Sequence, residues 1–314
     1  MSSRTRHAGV ALATGAALAV QSRVNGDLGD RLDDGLFAAW LAFLVGLPIV
    51  LALSLATSNG RSGYARVRPA IARGDLRRWQ LLGGLGGAIY VVGQSVTVAT
   101  LGVALFTVAT VAGQSGGGAV VDAVGLAPGG RRPITALRAV AGVLSVLAVA
   151  VAVVGVAPER VSVFLIVVAL LAGIAGAFQS ALNAQVAETI ETPLVASVIN
   201  FVVGLAAITM VMLLDHAVRC TGFAAPPAPW AEPLLWSGGL LGVLYTVVAA
   251  WVVRDLGVLL FGLCIIAGSL AGAVVLDLFG NAAAPQASLV VGVTLTFAAV
   301  LLAAVGSRPA GSTS

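Results

Sequence analysis

GAALAVQSRVNGDLGDRLDDGLFAAWLAFLVGL, residues 15–47, lies without a gap over GIAGAFQSALNAQVAETIETPLVASVINFVVGL, residues 173–205. A second block repeats as well, with GGLGGAIYVVGQSVTVATLGVALFTVATVAGQSGGGAVVDAVG (83–125) over GGLLGVLYTVVAAWVVRDLGVLLFGLCIIAGSLAGAVVLDLFG (238–280), at a separation three residues smaller. That slip falls in a connecting loop. The chain is therefore a duplication, and an internal repeat decides architecture before any local pattern does. Equivalent positions include Gln21/Gln179, Asn25/Asn183, Phe43/Phe201, Gly46/Gly204, Tyr90/Tyr245, Phe106/Phe261, Gly113/Gly268 and Asp122/Asp277.

Hydrophobic residues make up 59% of the chain and charged ones 10%, with a mean hydropathy of +1.04. So few polar groups cannot cover a water-facing surface. The fold class is all-α integral membrane: the apolar runs are continuous, whereas a closed barrel needs period-two alternation. A span needs about 20 residues to cross ~30 Å of hydrocarbon. Ten such stretches are expected near 8–30, 35–57, 80–99, 102–125, 134–156, 161–187, 193–215, 233–253, 256–279 and 286–306. They make two five-span units, 8–156 and 161–306. Arg4 and Arg6 before an apolar run resemble a secretory signal peptide. The equivalent segment at 161–187 lies in mid-chain, so the first span is read as retained. Cys220 and Cys264 lie outside any metal-ligand spacing, and neither a disulfide, a metal site nor a cofactor is expected.

Orientation follows from arginine, because the chain has no lysine. The stretch between spans two and three holds Arg61, Arg66, Arg68, Arg73, Arg77 and Arg78, which by the positive-inside rule is cytoplasmic. Parity then puts both termini inside with thirteen of the seventeen arginines. A five-span unit followed by its copy must be inverted, since five is odd. The second half's counterparts of the Arg-rich loops, 216–232 and 281–285, hold a single arginine. The net charge of +4 thus concerns topology, and nucleic acid is not an expected partner.

The polar stretch 58–79 and the Pro-rich 222–233 read as the longest loops. The short link near 157–161 makes spans five and six antiparallel neighbours, while Gly102 and Gly257 supply tight turns between spans three and four and between eight and nine. GxxxG occurs at Gly83/Gly87, Gly113/Gly117, Gly238/Gly242 and Gly268/Gly272, at equivalent positions of the two halves. Small residues four apart let helices approach closely in lipid, either within one subunit or in a homodimer.

Polar groups within the spans are the candidate site. Gln21 and Asn25 share one face of the first span, and Gln179 and Asn183 repeat them on the sixth. They serve either as interhelical glue or as the lining of a central solute site. Tyr90, Gln94 and Thr97 form a stripe on the third span, and Thr107, Thr110 and Gln114 one on the fourth. Of these Tyr245 and Ser269 persist in the second half, so a cavity would be more polar on its first-half side. Asp122 and Asp277 each close an apolar run before a glycine, as proton-coupling groups at opposite depths or as hydrated helix-end acids. Arg23 has Asp27 one turn later and either attracts an anionic group or cancels that acid. Asp30, Asp33 and Asp34 add acid to the outer mouth as a solvated loop.

QSRVN (21–25), FLVG (43–46), LGVALF (101–106), AGQ (112–114) and DAVG (122–125), with QSALN (179–183), FVVG (201–204), LGVLLF (256–261) and DLFG (277–280), resemble the YdcZ-type branch of the drug/metabolite transporter superfamily, an EamA-like group. The resemblance covers about 8–306, as a fused pair of five-span units, with Ser269 a departure from AGQ. It implies a ten-helix carrier in the bacterial inner membrane, an exporter of a small organic solute, monomeric or homodimeric in its lipid. No GxxxxGK[ST] loop is present, so the expected class is secondary transport by alternating access. An enzyme is not expected, because the only histidines, His7 and His216, lie near span ends. A non-transporting membrane subunit is the alternative.

Overall fold

The computed structural model describes residues 3–126, 130–131, 135–154, 162–220, 222–256, 258–279 and 287–306. Among these it forms helices and no strand: α1 (Ser3–Leu32), α2 (Gly35–Ala56), α3 (Ser58–Arg73), α4 (Gly83–Leu101), α5 (Val103–Val124), α6 (Ala136–Val154), α7 (Val163–Thr189), α8 (Pro193–Arg219), α9 (Ser237–Leu256), α10 (Val258–Phe279) and α11 (Ala287–Gly306). Helices occupy all ten apolar stretches, with ends shifted by at most five residues. Segments containing α2, α4, α5, α7 and α8 are long and apolar enough to cross a membrane. Gly257, the link 155–161 and the loop 281–285 lie outside the described residues.

The stretch 58–79, expected as loop, contains a helix instead. Thr57 accepts the Gly60 amide at 3.1 Å to start α3, and Gly74, left-handed at φ 81°, ends it by donating to the Ile71 carbonyl. Arg61, Arg68 and Arg73 are exposed while Gly60, Gly63 and Ala70 are buried, with Gly63 against Val195 of α8 and its N-cap Thr192. A polar composition here hid an amphipathic helix. Arg66 anchors it, donating to the Ile190 carbonyl at 2.9 Å and to Glu191 at 2.8 Å.

The repeat extends to backbone detail. Asp33 and Glu191, equivalent positions, are both left-handed (φ 49° and 54°) in the turns from α1 to α2 and from α7 to α8. The same amide-to-carbonyl pattern closes both turns, Asp34 to Gly29 and Thr192 to Ala187, each at 3.1 Å. Gly102, at φ 78°, makes the one-residue turn from α4 to α5. Ends of α5 and α7 differ: Gly125 caps α5 in the left-handed conformation.

Packing between the halves obeys an exchange rule. Gly113 of α5 meets Leu170 of α7, and its equivalent Gly268 of α10 meets Leu12 of α1. Gly15 meets Ile265 as Gly173 meets Thr110, and Gly46 meets Phe201 as Gly204 meets Phe43. Swapping the halves therefore maps the contacts onto themselves. Leu12 with Gly268 and Ala16 with Gly272 show α1 and α10 running parallel. Helices α2 and α8 run antiparallel, since Trp40 donates to Thr209 at 2.8 Å while Gly46 lies against Phe201. All four GxxxG pairs are used between halves of one chain, which accounts for them without a second subunit.

The fifth helix of each half, α6 and α11, are packed on each other, with Gly292 against Ala148 and Ala152. The expectation that the link makes spans five and six neighbours is corrected: α6 packs on α11 and α5, and α7 on α5, α4 and α8. The core centres on α5, where Val103 to Ala109 are buried almost without interruption. Outward-facing Val143, Val146, Met210, Leu214 and Phe164 give the molecule an apolar girdle suited to lipid.

Candidate functional site

A cavity of about 40 Å³ lies between the halves, room for a few waters. Its walls are Leu18, Ala19 and Ser22 of α1, Tyr90 of α4, Thr107, Thr110, Val111 and Gln114 of α5, and Ile265, Ile266 and Ser269 of α10. Three equivalent pairs face each other across it: Thr110/Ile265, Val111/Ile266 and Gln114/Ser269. The axis that exchanges the halves thus runs through the cavity. One further equivalent pair straddles the same axis. Phe43 and Phe201 pack with ring centroids 5.2 Å apart. In two of the three facing pairs, Thr110/Ile265 and Gln114/Ser269, the first half supplies the more polar side chain.

Helical periodicity delivers this lining. Thr107, Thr110/Val111 and Gln114 are spaced by three and four residues, so they share one face of α5. Tyr90 bonds the side chains of Thr110 and Gln94 and stacks edge-on to Phe106, with centroids 6.0 Å apart. Every lining serine and threonine gives its hydroxyl hydrogen to its own helix: Ser22 to the Leu18 carbonyl, Thr107 to Val103, Thr110 to Phe106 and Ser269 to Ile266, at 2.7–3.0 Å. No lining residue is charged.

The amide pairs do not converge on this cavity. Asn25 and Gln21 lie against Gly238 and Gly242 of α9, while Asn183 and Gln179 lie against Gly83 and Gly87 of α4. The structure therefore seats each amide pair in the GxxxG groove of the opposite half. Each pair also recruits a third amide, but a different one. Asn25 donates to Gln94 at 2.8 Å, and Gln94 donates to Ser22 at 2.8 Å. In the second half Asn200 accepts from both Gln179 and Asn183 at 3.1 Å. Ser22, Gln94 and Asn25 are fully enclosed, and the Oε1 of Gln21 and Oδ1 of Asn25 have no hydrogen-bond partner.

The remaining candidates sit apart. Arg23 pairs with Asp27 at 2.9 Å, both side chains two-fifths exposed, so the acid is its partner. Asp122 is half-buried at the end of α5, two turns beyond Gln114, and the side chain of Asp277 lies outside the described residues. Tyr245 packs beside Ala11, Val248 and Ile265. Sequence reasoning passed over three groups. Asn200 has Ala42 as its equivalent, so the repeat hides it, and Ser22 was eclipsed by the amides beside it. Asp34, read as a solvated acid, accepts the Phe37 amide at 2.9 Å and holds His216 at 2.9 Å, with the Phe223 ring tilted against that imidazole at a centroid distance of 4.1 Å. Among the described residues no cluster of three or more side chains could hold a metal.

A protein-family model described as "Putative inner membrane exporter, YdcZ", of the drug/metabolite transporter type, matches the chain twice, over 7–151 and 164–306, once on each copy of the duplicated unit. Comparison with curated proteins gives no match. A solved crystal structure is similar at a TM-score of 0.57 with 19% identity, covering 98% of this chain and 99% of that one, a likeness of fold.

Proposed function

The chain belongs to the YdcZ family of inner membrane exporters, and from that premise we propose that it is a secondary transporter moving a small organic solute across the inner membrane by alternating access. The two units, 8–156 and 161–306, are inverted five-helix repeats in this reading. A twofold operation that makes equivalent helices α2 and α8 antiparallel has its axis across those helices, hence in the membrane plane if they span it. Arginine bias places α3 and both termini in the cytoplasm.

The observation that carries the reading is the cavity on the exchange axis. Rocking one half against the other about that line opens such a cavity first to one side and then to the other. The amide pairs have a mechanical part here: Gln21 and Asn25, and Gln179 and Asn183, rest on glycine grooves of the opposite half and keep the halves in register. Tyr90, Gln114 and Ser269 face the solute, with Gln94 and Tyr245 behind Tyr90. Asp122 and Asp277 are the candidates for proton coupling, at opposite depths. Counterflow of labelled amines, amino acids and metabolites into liposomes holding the purified protein tests the activity. Flux above protein-free vesicles is expected for at least one, and a chain that moves none is a membrane subunit instead.

A further inference from the structure

Resting on that reading of the cavity, we propose that it selects an uncharged solute with hydrogen-bond donors at one end and a branched apolar flank at the other, of the class of primary amides and alcohols. Donor direction carries the argument. The hydroxyl hydrogens of Ser22, Thr107, Thr110 and Ser269 are all engaged by carbonyls of their own helices. Their oxygens can then only accept. Ser22 already accepts from Gln94 and Thr110 from Tyr90, so Thr107 and Ser269 present acceptors to whatever enters, and the Gln114 amide can serve either way. A solute that only accepts leaves this arc unanswered, and an unpaired polar group in a dry site costs about 1–3 kcal/mol.

Charge is excluded by the same wall. No lining residue is ionised, and an isolated ion taken from water into such a site is penalised far more than a neutral dipole. The exchange axis then sets the solute's orientation. Thr110 and Gln114 stand on the first-half side opposite Ile265 and Ser269, with Ile266 and Leu18 completing an aliphatic surface. Donors point to Thr107 and Gln114 of α5 and to Ser269, and carbon to Ile265, Ile266 and Leu18.

Four near-isosteric probes decide the class: isobutyramide, 3-methyl-2-butanone, isobutyrate and isobutylammonium, with isobutanol as a second neutral donor. Binding is read by thermal shift of the purified full chain in detergent, and transport by counterflow in liposomes corrected for protein-free leak. Isobutyramide or isobutanol is expected to bind at least tenfold more tightly than the other three. The double variant Thr107→Val/Ser269→Ala is expected to erase that preference while keeping the parent's melting behaviour without ligand. Preference for the carboxylate, the ammonium or the ketone overturns the proposal, as does binding of neither neutral donor. Tight binding of the amide without flux leaves the solute class standing and sinks the transport reading.

Discussion

Gln94 joins three groups that would otherwise be stranded in an apolar interior: it accepts from Asn25, donates to Ser22 and bonds Tyr90. Interhelical bonds of this kind contribute ~0.6–2 kcal/mol each in a membrane. Gln94→Leu is expected to lower stability by about 2–3 kcal/mol in denaturant titration while the protein still inserts. No loss beyond a few tenths would show that the network is incidental. Asp34 offers a second comparison at this scale, because it caps α2 and holds His216. Asp34→Ala removes both contacts, whereas Asp34→Asn keeps a capping oxygen for the Phe37 amide. The first should therefore melt lower by the worth of a helix cap, about 1 kcal/mol or a few degrees. Equal melting temperatures would remove the cap from the account. Of the site residues, Tyr90 and Gln114 were legible as polar groups at helical spacing within spans. Asn200 was not, because comparison of the two halves finds an alanine at its equivalent. The seating of the amides was also out of reach, since periodicity says which face a residue shares and not which helix it meets.

At the scale of helices, glycine placement separates packing from permissiveness. A methyl group on Gly113 or Gly268 would run into the backbone carbonyl of Leu170 or Leu12, which cannot give way without moving a helix. Gly116 and Gly118 face open space. Gly113→Ala and Gly268→Ala should cut folded yield severalfold in size-exclusion profiles, whereas Gly116→Ala and Gly118→Ala should be neutral or gain up to ~1 kcal/mol from helix propensity. The reverse order would contradict the packing described. The ten long helices were legible because continuous apolarity is a strong signal. Helix α3 was hidden, since its arginines and glycines read as loop unless their angular distribution is followed. The neighbours of α6 were hidden for another reason: a short link constrains two helix ends and leaves their lengths free to diverge.

For the molecule as a whole, the repeat made the duplication legible, and the odd span count with the arginine bias made inversion the economical reading. Reporter fusions at Arg68 and within the 222–231 segment should report cytoplasmic and external positions respectively, and the same side for both would overturn the inverted arrangement. Alternating access is the claim on which the function depends, and side-specific labelling of the cavity tests it most directly. In a background of Cys220→Ser and Cys264→Ser, a single cysteine introduced as Thr107→Cys or Ser269→Cys is exposed to a membrane-impermeant maleimide from one face or the other. The predicted result is labelling from both faces, with a solute that shifts the protein toward one orientation raising labelling from that face and lowering it from the other. Labelling confined to one face under every solute condition would contradict the account.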